Sequence, residues 1–332
     1  MTKKYPGMLL REKIIIDGSA FAYGISSAFD ALVARKAGHK TMYVGGYAAS
    51  GLRGLPDMGI MTATEMLQHI QYICEAVPDG IFIVDIDDGY GGVHNARRIV
   101  RDLLTKSSIA AFHIEDQKNP KRCGHIAGKE IVSEEEFLAK LQAVIGVRRE
   151  FEASCLIIAR TDAFSASGGK KNAEIGGDID EAIKRGLAYS KAGADLVWCE
   201  FPTPDRKSAK EFAGGMKNCM PIFGLAFNVS PSFSWHKHKD PVSAQELRDM
   251  GYKLLFSTYP SLTASANAVY ETAKSFLGDP VEALKCLQQK VDGTLAESVK
   301  KIVGVDRYQE IEMRYDLKAK ERIESTDGFK KI

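Results

Sequence analysis

The sequence predicts a (β/α)8 barrel, and three observations predict it. Eight short apolar runs recur along the chain, separated by longer segments with apolar residues at three- and four-residue spacing. That is the pattern of strands buried on both faces alternating with amphipathic helices. The length of 332 residues suits one barrel with something added. No GxGxxG follows the first run and no Pro/Gly/Ser-rich linker divides the chain. Both absences weigh against a doubly wound nucleotide-binding sheet and for one domain over residues 1–332.

The expected strands, in order, are Lys13–Ile16, Lys40–Gly45, Ile81–Ile86, Ile109–Ile114, Leu156–Arg160, Asp195–Cys199, Ile222–Phe227 and Tyr252–Ser257. Each is mostly Val, Ile, Leu, Phe or Ala, the composition of a strand covered on both faces. The clearest helices between them are Ser133–Val147, Ile179–Lys191, Ala244–Met250 and Ser261–Phe276. Beyond Gly278 the stretches Pro280–Val291, Leu295–Val303 and Arg307–Ile323 keep helical spacing. They exceed what a barrel needs, so 279–332 is expected to be a helical extension packing on the barrel or on a partner subunit.

Composition narrows the function. Apolar residues are 45% of the chain, charged residues 27%, and the net charge is +2 without basic clusters. This describes a soluble globular protein and gives no reason to expect a nucleic-acid groove. The apolar runs are too short for a membrane span, and MTKKYPGMLLREK has no apolar signal core. Six cysteines are scattered with no CxxC pair, which fits a reduced, cytoplasmic protein.

In such barrels chemistry gathers at the C-terminal ends of the strands. Those ends carry Tyr43, Gly45, Gly46 and Tyr47; then Asp85, Asp87 and Asp88; then His113, Glu115 and Asp116; then Arg160 and Asp162; then Glu200; then Asn228, Ser230 and Ser232; and last Thr258. Turns and helix caps account for one polar residue per loop, but not for paired carboxylates or an arginine. Asp85 and Asp87, two apart on one strand end, share a face, with Glu115 on the neighbouring strand. Such carboxylates are either a solvated acidic cluster or a hard-cation site. The all-oxygen set suits Mg2+, or Mn2+, better than Zn2+. NVSPSFSW by itself reads better as a Ser/Pro turn, but its place after a strand among charged strand ends favours binding, with Asn228, Ser230, Ser232 and Thr258, beside Arg160 and His125, as a donor set for carboxylates.

The loop KNPKRCGHIAGKEI holds Cys123 and His125 among Lys121, Arg122, Gly124 and Gly128. Cations beside a thiol are expected to lower its pKa and make it a proton donor or acceptor near neutrality. The glycines let such a loop close over a ligand. A nucleophilic hydrolase stays open on this spacing.

KRCGHIAGK resembles the catalytic-loop signature of isocitrate and 2-methylisocitrate lyases, within the isocitrate lyase/phosphoenolpyruvate mutase superfamily. YVGGY, VDIDDGYGG, HIEDQ, ARTDA, ADLVWCEFPTPD and NVSPSFSW resemble further blocks of that superfamily, in its order, from about Ile15 to Tyr270. The resemblance implies Mg2+-dependent cleavage of a C–C bond in a small tricarboxylate. It implies metal held by Asp85, Asp87 and Glu115, largely through water, with Asp57 near that shell. Cys123 would protonate the departing succinate carbanion, and Tyr43 would take part in removing the substrate hydroxyl proton. His125, Arg160 and Glu200 complete the candidate catalytic set. Gly45, Gly46, Tyr47, Arg122, Gly124, Asn228, Ser230, Ser232 and Thr258 are the candidate substrate contacts. A homo-oligomer is also implied, a dimer of dimers with a helix swapped between subunits.

The chain departs from the family pattern at four places. Gly45 replaces a usual Ser, Tyr47 stands where isocitrate lyases have Trp and 2-methylisocitrate lyases Gly, and Val229 and Ser234 replace a Cys and an Asn. Bulky Tyr47 and NVSPSFSW favour isocitrate. The short chain favours 2-methylisocitrate. One methyl is worth only about 1–3 kcal/mol of discrimination, so overlap between the two is expected. Oxaloacetate hydrolysis and a non-catalytic carboxylate binder are the more distant readings.

Overall fold

The strands form where apolar, two-sided runs end in Gly or polar turns. They are β1 (Ala20–Ile25), β2 (Thr41–Val44), β3 (Ile81–Asp85), β4 (Ala111–Glu115), β5 (Leu156–Thr161), β6 (Leu196–Cys199), β7 (Leu225–Asn228) and β8 (Tyr252–Phe256). In this computed structural model, which describes residues 5–172, 177–316 and 318–325, all eight run parallel. They close in sequence order, β8 pairing back to β1 through Ala20 opposite Leu254.

The strand period of two divides the core in two layers. One set of side chains fills the barrel, with Tyr43, Trp198 and Phe256 set among the small Ala20, Ala22, Ala111 and Ala226. The alternate set, including Met42, Val44, Phe82, Val84, Phe112 and Val197, packs outward against the helices. Large side chains thus sit against small ones inside the barrel, and each fully buried large side chain contributes about 1.5–3 kcal/mol.

The first expected strand is in fact helical. Lys13–Ile16 is the last turn of α1 (Pro6–Ile16). Its three isoleucines imitate a strand, but only one face is buried: Leu10 and Ile14, four apart, join the barrel-filling layer, while Ile15 and Ile16 are 70% and 79% exposed. Pro6 at the first turn starts this helix without losing a hydrogen bond. The true first strand, AFAYGI, is rich in Ala and Gly and so carries little β signal.

Helices follow the strands: α2 (Ala28–Lys36), α3 (Gly46–Leu52), α4 (Ala63–Ala76), α5 (Val93–Lys106), α6 (Glu134–Glu150), α7 (Ile179–Ala192), α8 (Arg206–Met216), α9 (Ala244–Asp249) and α10 (Pro260–Ser275). Their starts are coded locally. Ser133, Asp178 and Asp205 accept backbone N–H groups at the starts of α6, α7 and α8, and Thr62 and Ser243 make full capping boxes with Glu65 and Glu246.

The chain divides into two compact units, Met1–Thr263 and Ala264–Ile332, with the division inside α10. The second unit adds α11 (Pro280–Val291), α12 (Val299–Ile302), α13 (Val305–Tyr315) and α14 (Ala319–Ser325). Leu295–Val303, expected as one helix, is a 3-10 turn followed by α12, because Ser298 breaks the run to cap the next. Arg307–Ile323 is likewise two helices. Leu317 between them and the end of the extension, 326–332, lie outside the described residues. No described helix is long and apolar enough to cross a membrane.

Candidate active site

The C-terminal strand ends converge on one small cavity lined by Tyr43, Asp57, Asp85, Cys123, Arg160 and Glu200, among others. Its volume is about 30 Å3, room for a water or two rather than a tricarboxylate. Two larger clefts, of about 920 and 840 Å3, lie on the outer helices among arginines of α5 and lysines of α8. Neither brings together the strand-end carboxylates, Cys123 and Arg160, so the small cavity is the candidate site.

One side of it is acidic. Asp85 ends β3 and accepts the N–H of Gly46 at 2.9 Å and of Asp87 at 2.9 Å. Asp87 reaches the same place through a turn, with φ 49°, and not by the strand pleat. That left-handed conformation is one Asp tolerates better than most residues, and its cost is typical of functional turns. Lys121 sits between the carboxylates, its Nζ 2.6 Å from Asp57 Oδ1 and 2.6 Å from Asp87 Oδ1. Burial works to discharge Lys121, but Asp87, Asp57 and Asp85 hold its pKa well above the ordinary value. Burial, with Asp85 and Asp57 beside it, pushes Asp87 up to about 7 against the pull of Lys121.

Burial would also raise Asp85, yet His113, Lys121 and the two amides bring it below its ordinary value. Of these partners His113 is itself neutral near pH 7, since burial pushes it down to about 4. Lys121 and the amides are therefore what keep Asp85 ionised. Tyr43 Oη lies 2.7 Å from His113 Nε2. Burial and then Asp85 raise the Tyr43 phenol well above its usual range, so it is protonated in this state.

The other side is a set of paired donors. Arg160 donates from Nε and Nη2 to Asp162 at 2.8 and 3.0 Å and lies 3.0 Å from Glu115 Oε2. Its guanidinium stacks 4.3 Å above the Trp198 ring. His125 Nε2 is 2.8 Å from Glu200 Oε1, and Asn228 donates to the same oxygen at 3.2 Å. Burial would raise Glu200, but Arg160 and His125 lower it. Asn228 Oδ1 and Thr258 Oγ1 are buried at the cavity without a hydrogen-bond partner. Buried polar atoms left open in this way point to a polar ligand.

Cys123 stands over the cavity on the loop after β4, 9% exposed, its N–H donating to Asp57 O at 2.9 Å. The expectation of a lowered thiol pKa is corrected here. Burial and then Asp57 push the thiol up to about 11, outweighing Lys121, because Lys121 is spent on three carboxylates. The thiol form of Cys123 is thereby favoured over the thiolate near neutral pH.

The match to known proteins covers most of the chain. Residues 22–277 match the family model described as phosphoenolpyruvate phosphomutase. An isocitrate lyase of Haloferax volcanii is 41% identical over 96% of this chain and 90% of its own length.

The chain belongs to the isocitrate lyase/phosphoenolpyruvate mutase superfamily.

A 2-methylisocitrate lyase of Aeropyrum pernix is 33% identical over 79% of this chain and 77% of that one. Among solved structures, 2,3-dimethylmalate lyase of the same superfamily covers all of both chains with a TM-score of 0.80 at 24% identity. A phosphonopyruvate hydrolase solved with oxalate and Mg2+ covers 94% of this chain and 99% of that one, with a TM-score of 0.75 at 21% identity. The superfamily places the chain among enzymes, as a carbon–carbon lyase, and its members include Mg2+ binders.

Most sequence-predicted residues of this superfamily member meet at the cavity: Tyr43, Gly45, Gly46, Tyr47, Asp57, Asp85, Cys123, Gly124, His125, Arg160, Glu200, Asn228 and Thr258 line it. Asp87 and Glu115 stand just behind. Three predicted contacts do not reach it. Arg122 is held by its backbone to Gln117, and its guanidinium lies near Gly128, away from the lining. Ser230 accepts the Ser232 N–H within the turn, and Ser232 Oγ pairs with Tyr259 Oη at 2.5 Å. In this structure both hydroxyls are engaged within and beside the turn.

Sequence reasoning named His113 as a strand-end residue and Lys121 as a cation beside the thiol, without their contacts to Asp85 and Asp57, and missed Trp198 altogether. Lys121 had a signal, its place two before Cys123. Trp198 had none, since nothing in a strand sequence shows that an arginine of the next strand will stack on it.

Among the described residues, no three His, Cys, Asp or Glu side chains stand as a ready metal cage. The donor set nevertheless fits a hard cation. Glu115 Oε1 is buried without a hydrogen-bond partner, and three carboxylates surround one cationic Nζ.

Proposed function

We propose that this enzyme cleaves isocitrate to succinate and glyoxylate. The observation that carries the reading is the placement of Cys123, a neutral thiol over a cavity with an acidic cluster on one side and paired carboxylate donors on the other. Asp57, Asp85, Asp87 and Glu115 would hold Mg2+, or Mn2+, with Lys121 moved aside. The ion would supply Lewis-acid stabilisation of the forming aldehyde oxygen.

The remaining work falls to the chain. Breaking the C2–C3 bond removes the hydroxyl proton and leaves an electron pair on the succinate carbon. That proton would pass to the Tyr43 oxygen as the phenol hands its own proton to neutral His113 Nε2, 2.7 Å away. Arg160, His125, Asn228 and Thr258 stabilise the dianionic charge. The Cys123 thiol then gives its proton to the carbanion, while the loop Lys118–Ile131 excludes water from it. The small cavity means that this loop must open to admit a tricarboxylate. A cytoplasmic homo-oligomer completes the reading. Val269, Tyr270, Leu277 and Tyr308 of the C-terminal helices are exposed apolar side chains suited to a subunit contact.

A second reading, 2-methylisocitrate cleaved to succinate and pyruvate, is favoured by one feature. Tyr47, the expected size filter, is 37% exposed and stacks on Tyr259 at the mouth instead of filling the cavity. The deciding experiment offers isocitrate and 2-methylisocitrate at equal concentration with Mg2+ and identifies the oxoacid. Dominant glyoxylate is expected. Dominant pyruvate selects the second reading, and oxalate would expose a hydrolase. Cys123→Ser is expected to stop turnover and keep substrate binding; near-normal turnover would remove Cys123 from the mechanism.

A further inference from the structure

Lys129 has no part in the chemistry just described, yet it is one of the least exposed lysines in the chain, 3% accessible. Its ammonium has three protons to give and gives all three. Nζ donates to Gly124 O at 2.6 Å, to Asp162 Oδ1 at 2.7 Å and to Ser165 Oγ at 2.8 Å. Burying such a charge is costly unless it is paired and saturated, and here it is both.

The three acceptors belong to different parts of the structure. Gly124 is the residue after Cys123, on the loop that covers the cavity. Asp162 and Ser165 follow β5, fixed to the barrel. Asp162 is anchored in turn, its N–H donating to Asp116 Oδ1 at 2.9 Å, and its own carboxylate accepts both Arg160 bonds.

The stem of the loop is tied separately. Gln117 bridges Ile131, and Lys118 N–H donates to Glu130 O at 2.9 Å. What remains to be held is the tip. On one flank it is held by the Cys123 N–H to Asp57 bond, the Lys121 pairs with Asp57 and Asp87 and the Gln117 bonds to Arg122, and on the other by the His125–Glu200 pair and by Lys129, whose carbonyl also accepts the Ser167 N–H. Gly124 is pressed so closely to the site that a Cβ there would lie 2.6 Å from Arg160 Nη2.

We propose that Lys129 is a positioning residue of this lid, fastening the Gly124 carbonyl to Asp162 and Ser165 and so helping to set Cys123 over the cavity. Because Asp162 serves both cations, seating the lid and fixing Arg160 are one event. The inference rests on reading Cys123 as the proton donor, but its test does not need turnover.

The test is iodoacetamide labelling of the full chain without substrate, mapped peptide by peptide. Cys286 is exposed and gives the reference rate, while Cys155 and Cys199 are buried and report global unfolding. In Lys129→Met, labelling of Cys123 relative to Cys286 is expected to rise at least about tenfold, the shift produced by losing one charge-assisted hydrogen bond. Lys129→Arg is expected to recover part of the protection. With a turned-over substrate, kcat should fall in Lys129→Met more than KM rises.

Cys123 labelling within about twofold of wild type, with Cys155 and Cys199 still protected, overturns the proposal. Should Lys129→Met expose Cys155 and Cys199, Ser165→Ala carries the test, since it removes one acceptor and keeps the ion pair. A roughly threefold rise is then expected, and no rise overturns the proposal. A chain that cleaved neither tricarboxylate would still answer this question, so failure of the lid inference and failure of the proposed reaction are distinguishable.

Discussion

The ends of β2 to β4 and the ends of β5 to β8 face each other across the cavity, and they solve opposite electrostatic problems. On the first side one lysine serves Asp57 and Asp87 directly and Asp85 through space, and the balance is incomplete: Asp87 is driven up to about 7 and Glu115 well above its usual range by burial. On the second side each charge has its counterpart. Arg160 holds Asp162 below the ordinary carboxylate range, and His125 and Arg160 do the same for Glu200. The lesson is that one lysine leaves the acidic side short of positive charge, as a site for a further cation would be, whereas the donor side is balanced by its own ion pairs.

The largest expected effect comes from breaking the acidic side. Asp85→Asn should cut turnover by roughly 10³-fold or more and abolish any Mg2+-induced rise in Tm. A Tm rise that persists would move the cation elsewhere. Breaking the donor side is next. Arg160→Lys keeps the charge but loses the fork to Asp162 and the stack on Trp198, and kcat/KM should fall about 10²-fold. A loss under about threefold would mean that charge alone suffices there.

The third prediction concerns pH. Asp87 has its pKa raised from 3.8 to about 7 in the folded protein. The folded state therefore binds the proton more tightly than the unfolded one, and this contribution falls away as pH rises from about 4 to 7. Asp87→Asn cannot ionise, so metal-free variant and wild type should have similar Tm near pH 4 and diverge in the variant's favour toward pH 8. Parallel profiles would show that Lys121 fully balances Asp87. The smallest effects belong to residues off the cavity. Arg122→Ala and Ser230→Ala should each change kcat/KM less than about threefold, and a large loss would return them to the site.

Much of this was legible in the sequence, for local reasons. The strands after the first carry dense two-sided apolar runs, and Asp85, Glu115, Arg160 and Asn228 are at or next to their C-terminal ends because the fold puts chemistry there. What was illegible is tertiary. Isoleucines 14 to 16 look like a strand until Leu10 and Ile14 find the barrel floor. Lys121 and Arg122 are adjacent and equally cationic in the sequence, but one turns into the carboxylates and the other away. The Cys123 thiol follows its burial, which no count of neighbouring lysines and arginines conveys.

The stack of Arg160 on Trp198 has an optical consequence. The chain has only two tryptophans, and the second, Trp235, bonds the Ser230 carbonyl through its indole N–H. Trp198 is enclosed in the barrel with a guanidinium charge over its ring. An anion drawing Arg160 aside would change the field on that chromophore, so the proposed anion site would carry its own unlabelled fluorescent gauge.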